Sequence, residues 1–234
     1  NQLFIEGRNQ VAHHRAHHIV ERHHAHHQAV LVDDHGKVFM GMAKLLQHFG
    51  QRQPVGAPAH RGTAVEDGVT LGLMNPGAPL GDCVEASYKT YDRITALTRD
   101  IRREEYRATI PDMVKLALEE LRPYGVPSKC QGEVEWKPEG LKYPIYGRFD
   151  YHWEDHNITV DLKTTEKMTN AVKVPHARQV ALYVTSNNAD ARASYVTPKK
   201  KATYRIDNID AHRQALHQIA LRVEKFLSLS DDPK

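Results

Sequence analysis

From residue 110 onward the chain switches between two hydrophobic periods. Residues 110–125, IPDMVKLALEELRPYG, repeat apolar side chains every three or four positions: Val114, Ala117, Leu118 and Leu121 make one stripe of a helix. Pro111 suits the first turn of that helix, and Gly125 stands where it should stop. Three strand-like runs follow, at 130–138, 143–153 and 158–165. In the last of them Ile158 and Val160 face one way, while Thr159, Asp161 and Lys163 face the other, because strand side chains alternate. Helical spacing returns at 175–187, with Pro175 in the first turn. Short strands are predicted at 193–198 and 202–206. A final amphipathic helix puts Leu216, Ile219, Ala220, Val223, Phe226 and Leu227 on one side, with Asp207 or Asn208 as its cap.

Upstream the pattern is more broken. Residues 29–41 read as a hairpin turning at Asp33-Asp34-His35-Gly36, followed by a short helix at 43–49. Residues 51–62 read as a loop punctuated by proline and glycine. A helix over 62–73 is weakened by Gly68 and Gly72. Residues 84–107 read as one strongly charged helical stretch. Helices, a strand meander, a helix, two strands and a helix predict an α/β fold: a mixed central sheet flanked by helices.

Length and composition narrow the class. A chain of 234 residues, 40% hydrophobic and 26% charged, suits one globular domain. No apolar run approaches the roughly 20 residues that cross a bilayer, so no membrane partner is expected. Cys83 and Cys130 are far apart and form no CxxC pair, which leaves no disulfide framework and no iron–sulfur cluster, and favours a cytoplasmic setting. The net charge of +3 does not by itself mark a nucleic-acid binder. Basic clusters at 99–107 and 197–201 can hold phosphates or form solvated faces; Lys199, Lys200 and Lys201 read as a solvated turn. Residues 1–28 stand apart. They contain IEGR at 5–8, which reads like an engineered cleavage sequence, and His13, His14, His17, His18, His23, His24, His26 and His27. Helical spacing of these histidines would suit zinc or nickel; an engineered or low-complexity tail is the other reading. Residues 29–234 are read as the single functional domain.

The chemistry concentrates at GRFDYHWEDHNITVDLKTTEK, residues 147–167. If the strands at 143–153 and 158–165 form a hairpin, Asp150, at the end of the first, lies beside Asp161 on the second. Two carboxylates that close repel unless a cation lies between them or one protonates. A hard divalent ion suits them, and the Lys163 ammonium can orient water or stabilise charge on a phosphate.

Gly147-x-x-Asp150 followed by Asp161-Leu162-Lys163-Thr164 resembles the core of the PD-(D/E)xK nuclease superfamily, and within it the RecB-like and Cas4-like exonuclease branch that includes phage-type and mitochondrial-genome-maintenance exonucleases. HRGTAVEDG (60–68) is similar to the family's first helix, with Glu66 at the position that reaches the metal, where histidine is common. QVALY (179–183) resembles its Gln-x-x-x-Tyr motif. The resemblance implies a restriction-endonuclease-like fold. It implies a metal-dependent DNA exonuclease of phage, repair or recombination type, with a structure-specific or restriction-like endonuclease, or a cleavage-inactive DNA-binding module, as the alternatives. One or two Mg2+ or Mn2+ ions would be held by Asp150, Asp161, Glu66 and the Leu162 backbone carbonyl. Lys163 would position the attacking water and Gln179 would bond near it or to DNA. Tyr183 would contact DNA or pack as a buttress. Glu133 would support the ligands from one layer out or simply point outward on its strand. Arg61, Arg148, His176 and Arg178 lie beside the motifs and are candidate phosphate contacts. The implied partners are DNA with free ends or single-stranded segments and a single-strand annealing or replication protein. The implied compartment is the cytoplasm, of the host if the protein is viral, with the mitochondrial matrix left open. The four-cysteine cluster of Cas4-like relatives is absent from the sequence.

Overall fold

The computed structural model describes residues 30–32, 38–40, 57–184 and 190–228. Along the chain run β1 (Val30–Val32), β2 (Val38–Met40), α1 (Ala57–Met74), α2 (Leu80–Ile94), α3 (Arg103–Ala108) and α4 (Ile110–Leu121), the last closed by a 3-10 turn at Arg122–Tyr124. There follow β3 (Lys129–Trp136), β4 (Ile145–Trp153), β5 (Ile158–Thr164), α5 (Val174–Leu182), β6 (Asp190–Val196), β7 (Lys201–Arg205) and α6 (Ile209–Leu227). The fold is a mixed α/β sheet flanked by helices. The expectations for residues 1–28, for the turn at 33–36, for the helix at 43–49 and for residues 185–187 fall outside the described residues.

Among the described residues the sheet has seven strands, and β4 is its hub. β3 runs antiparallel to β4, from Lys129 opposite His152 to Trp136 opposite Ile145. The other edge of β4 is shared: β2 pairs parallel at Ile145 and Tyr146, and β5 pairs antiparallel at Tyr151–Trp153. Among the described residues, 147–150 of β4 therefore have no ladder partner on that edge. Beyond β5 the sheet continues through β6, parallel, and β7, antiparallel to β6.

Helices cover both faces. On one, α1 and α4 bury Val65, Val69, Met113 and Leu118 against Tyr151, Trp153, Ile158, Val160 and Leu162. On the other, Val180 and Leu182 of α5 and Leu216 and Ala220 of α6 pack with Ile145, Phe149, Ala193 and Tyr195. Burial on two sides explains why β5 is buried without interruption from Ile158 to Leu162 instead of alternating.

Three boundaries differ from the sequence expectation. α1 starts at Ala57, so residues 57–62 are helix, not loop. Gly68 and Gly72 lie inside it because α2 comes too close for a side chain: a Cβ on Gly68 would stand 2.1 Å from Ser87 Oγ and 2.4 Å from the Cys83 carbonyl oxygen. The charged stretch 84–107 is two helices. α2 stops at Ile94, where the Thr95 hydroxyl donates back to the Tyr91 carbonyl at 2.6 Å, and the Asp100 carboxylate accepts the Arg102 N–H at 2.9 Å. Both are local side-chain bonds that compete with helix continuation. α5 ends at Leu182. α4 ends as its sequence suggests, with Gly125 at φ 82°. No helix of the described residues is long and apolar enough to cross a membrane.

Candidate active site

The site forms where the β4–β5 ladder stops. Tyr151 pairs with Val160, and the next step would set Asp150 opposite Asp161. The ladder is absent there. Instead Asp150 Oδ2 accepts the Leu162 backbone N–H at 2.7 Å, so a side chain takes the place of a strand carbonyl. The opposite edge is also broken. Cys130 pairs with Tyr151 and Gly132 with Phe149, yet Gln131, between them, does not pair with Asp150. Gln131 adopts φ 53°, a left-handed conformation uncommon for a side chain of this kind. Its amide nitrogen donates to Asp150 Oδ1 at 3.4 Å, and its carbonyl accepts Arg148 Nε at 3.2 Å. At this step β4 also loses its alternation: Phe149 packs with Tyr183, while Tyr151 packs under α1. Asp150 thus sits within β4, three residues before its end, at an irregularity on both neighbouring strands.

Asp161, 1% exposed, is on β5. Lys163, two residues on, makes an ion pair with its Oδ2. The same ammonium donates to Gln179 Oε1 at 2.9 Å, and Gln179 Nε2 donates to the Tyr183 hydroxyl at 2.7 Å. A single chain of polar contacts therefore runs from Asp161 through Lys163 and Gln179 to Tyr183. Tyr183 directly follows α5 and reaches across β4 because residue 147 is glycine. A Cβ there would lie 2.7 Å from Tyr183 Cε1 and from Leu182 Cδ2. Burial pushes the Tyr183 hydroxyl well above its ordinary pKa, and the charges of Asp161, Asp150 and Glu66 add to the shift. All three carboxylates act on this one hydroxyl.

Glu66 arrives from α1 and is buried. Its carbonyl accepts the Tyr151 hydroxyl at 3.2 Å, and burial, then Glu66 and Asp150, raise that hydroxyl's pKa as well. One turn earlier, Gly62 brings α1 against β5, where a Cβ would stand 3.0 Å from Thr164 Oγ1. Two segments of the sequence pattern, 60–68 and 161–164, thus pack directly on each other. Oxygen donors of this kind suit magnesium or manganese. Among the described residues no three His, Cys, Asp or Glu side chains gather closely enough to hold an ion by themselves. The candidate donors are the pair Asp150 and Asp161, with Glu66 outside the pair. The Leu162 N–H is already engaged by Asp150.

No family model matches this chain, and no curated protein does. Solved structures similar to it include one titled "Crystal structure of SSO0001", which is 20% identical and covers 68% of this chain and 84% of its own, with a TM-score of 0.34.

The remaining expected site residues divide. Arg148 is exposed on β4, and Arg178 is half-buried on α5. The His176 ring has Nδ1 2.7 Å from the Tyr195 hydroxyl, and burial, then the Lys163 charge, lower its pKa to about 4, so it is neutral at pH 7. Arg61, expected as a phosphate contact, is 3% exposed. Its guanidinium donates to Thr109 Oγ1 at 3.1 Å and lies 4.9 Å from the centroid of the Tyr106 ring, so it braces α1 against α3. Tyr183, 4% exposed, is a wall of the site and not an exposed DNA contact. Glu133 is exposed, opposite Arg148 in the ladder, and points outward. Gln131 was not among the expected residues. Residue type gives no sign of its backbone; the only signal is Gly132 beside it, whose missing side chain makes room for the Phe149 ring.

Proposed function

We propose that this protein is a magnesium- or manganese-dependent deoxyribonuclease that digests DNA from its ends. The observation that carries this reading is the joint placement of Asp150, Asp161, Lys163 and Gln179: two buried carboxylates from adjoining strands, with an ammonium fixed beside one of them by an amide. Asp150 and Asp161 would hold the ion. A divalent ion there supplies Lewis-acid charge for the scissile phosphate and the departing 3′ oxygen. The protein's own groups do the rest. Lys163, held between Asp161 and Gln179, has its ammonium aimed at one spot, where it can orient a water or bear phosphate charge. Tyr183 stays protonated and fixes the Gln179 amide, which in turn fixes the lysine. His176, neutral, adds no competing positive charge. Arg148 and Arg178 are the cations best placed to hold the DNA backbone. The mixed sheet and the gap on the β4 edge are compatible with a restriction-endonuclease-like core. For such an enzyme DNA ends are the substrate, a single-strand annealing or replication protein is the fitting partner, and the cytoplasm is the fitting compartment.

The test uses end-labelled linear DNA and closed circular DNA, each with magnesium, manganese or chelator. Loss of linear DNA with either metal, intact circles and no loss in chelator are expected. Cut circles would make the enzyme an endonuclease. Persistence of both substrates, or cleavage undiminished by chelator, contradicts the proposal.

A further inference from the structure

Residues 95–102, between α2 and α3, carry the most exposed aliphatic side chains of the described surface. Leu97 and Ile101 are each 97% exposed, whereas Met74, Leu80, Val126 and Val174 lie between 38% and 50%. A single exposed aliphatic is ordinary, but two side chains fully in water on one short loop form an apolar tip that none of the described residues covers. The loop is anchored at its base. Arg103 Nε donates to Thr95 Oγ1 at 2.8 Å, and the Tyr91 hydroxyl donates to the Arg103 carbonyl at 2.9 Å. Arg93, in the last turn of α2, and Arg99 and Arg102, in the loop itself, are exposed and without an ion pair among the described residues. The neighbouring Arg103 and Arg107 are instead bound to Asp92.

The base of the loop reaches toward the end of β5 that carries Lys163. The Arg102 guanidinium lies 4.9 Å from the Tyr106 ring centroid, and the Tyr106 hydroxyl donates to Glu166 Oε1 at 3.0 Å, three residues after Lys163. The same ring carries Arg61, whose neighbour Gly62 packs on Thr164. A continuous series of contacts therefore joins the loop to the site.

Resting on the reading of that site as a nuclease for DNA ends, we propose that the 95–102 loop is a wedge for the point where a DNA duplex parts into single strands. Leu97 and Ile101 press on the flat face of the terminal base pair, and Arg93, Arg99 and Arg102 hold the flanking phosphates. An apolar point on a loop that also carries exposed guanidinium groups matches a partner that is apolar on its stacking face and anionic along its edge.

The test places 2-aminopurine in the last pair of a duplex that bears a single-stranded tail, and binds it to the full chain in chelator, so that no cleavage intervenes. Fluorescence should rise with the parent protein as the base unstacks. It should stay at the free-DNA level with Leu97→Ser/Ile101→Ser, whose melting temperature should match the parent because both side chains are in water. Arg93→Ala/Arg99→Ala/Arg102→Ala should bind more weakly, with a shallower salt dependence. With magnesium, the Leu97→Ser/Ile101→Ser variant should digest single strands at the parent rate and blunt duplex severalfold more slowly. No fluorescence change with the parent, or an equal rise with the serine variant, overturns the wedge. So does a loop-dependent association with phosphatidylserine vesicles that leaves the DNA signal untouched. The two proposals fail separately: absence of cleavage by the parent in magnesium and manganese sinks the nuclease, whereas cleavage with silent fluorescence sinks the wedge.

Discussion

Lys163 neutralises an acid that is almost wholly enclosed. A buried carboxylate deprived of its counter-charge is costly, on the order of 3 kcal/mol. Lys163→Ala should therefore lower stability by roughly that much in chelator, and added manganese should recover part of it. Urea unfolding with and without metal measures this, and the gain on adding metal should be larger in the variant than in the parent. Gln131 offers a second test. A non-glycine residue at φ 53° is strained by about 1 kcal/mol, which Gln131→Gly relieves and Gln131→Ala does not. Both lose the contact to Asp150, so both should cleave DNA more slowly, by about three- to tenfold. Glycine should be the more stable of the two. His176 gives a pH signature. Its pKa is about 4 when folded, against 6.5 for the free side chain, so the unfolded chain binds the extra proton between those values. The stability due to its neutral state is complete above pH 6.5 and is lost as the pH falls toward 4. In His176→Gln the slope of stability against pH near pH 5 should be smaller by about 1.4 kcal/mol per pH unit.

Elements meet at glycines in this fold. α1 and α2 touch at Gly68, and α5 closes on β4 at Gly147. Gly68→Ala sets a methyl against the backbone carbonyl of Cys83, which cannot swing aside, and should cost about 2 kcal/mol or more in thermal unfolding. Gly147→Ala meets the Tyr183 ring. It should cost a comparable amount and also slow cleavage, because Tyr183 holds Gln179 and Gln179 holds Lys163. These contacts explain which parts of the structure could be read from the sequence. The strands β3 to β5 were legible because their apolar runs are bounded by turns, and α4 because its stripe, Pro111 and Gly125 agree. The start of α1 was not, since alanine and proline at 57 and 58 also suit a loop, and Gly68 and Gly72 look like breakers until a partner helix lies against them. The break at 95–102 was hidden by charged residues that suit a helix equally well. At the site, the spacing of Asp150, Asp161 and Lys163 was legible. The left-handed Gln131 and the burial of Arg61 were not, because glutamine carries no backbone preference for that conformation and arginine is ordinarily exposed.

The whole molecule turns on one topological feature. β4 lends one edge to two strands, β2 at its start and β5 at its end, and among the described residues the ladder is missing between them. Asp150 occupies that gap, and helices on both faces of the sheet keep the surrounding side chains fixed. The sheet thereby brings together acids from two strands and an amide from α5. Single-turnover cleavage of end-labelled linear DNA at saturating manganese, by the parent, Asp161→Asn and Lys163→Ala, addresses the claim that these groups act together. With the folded state of each variant verified by its melting curve, both substitutions should slow cleavage roughly a hundredfold or more. A rate within about threefold of the parent for either variant would contradict the assignment of the site, since that is less than the change expected from loss of one hydrogen bond to a charged group.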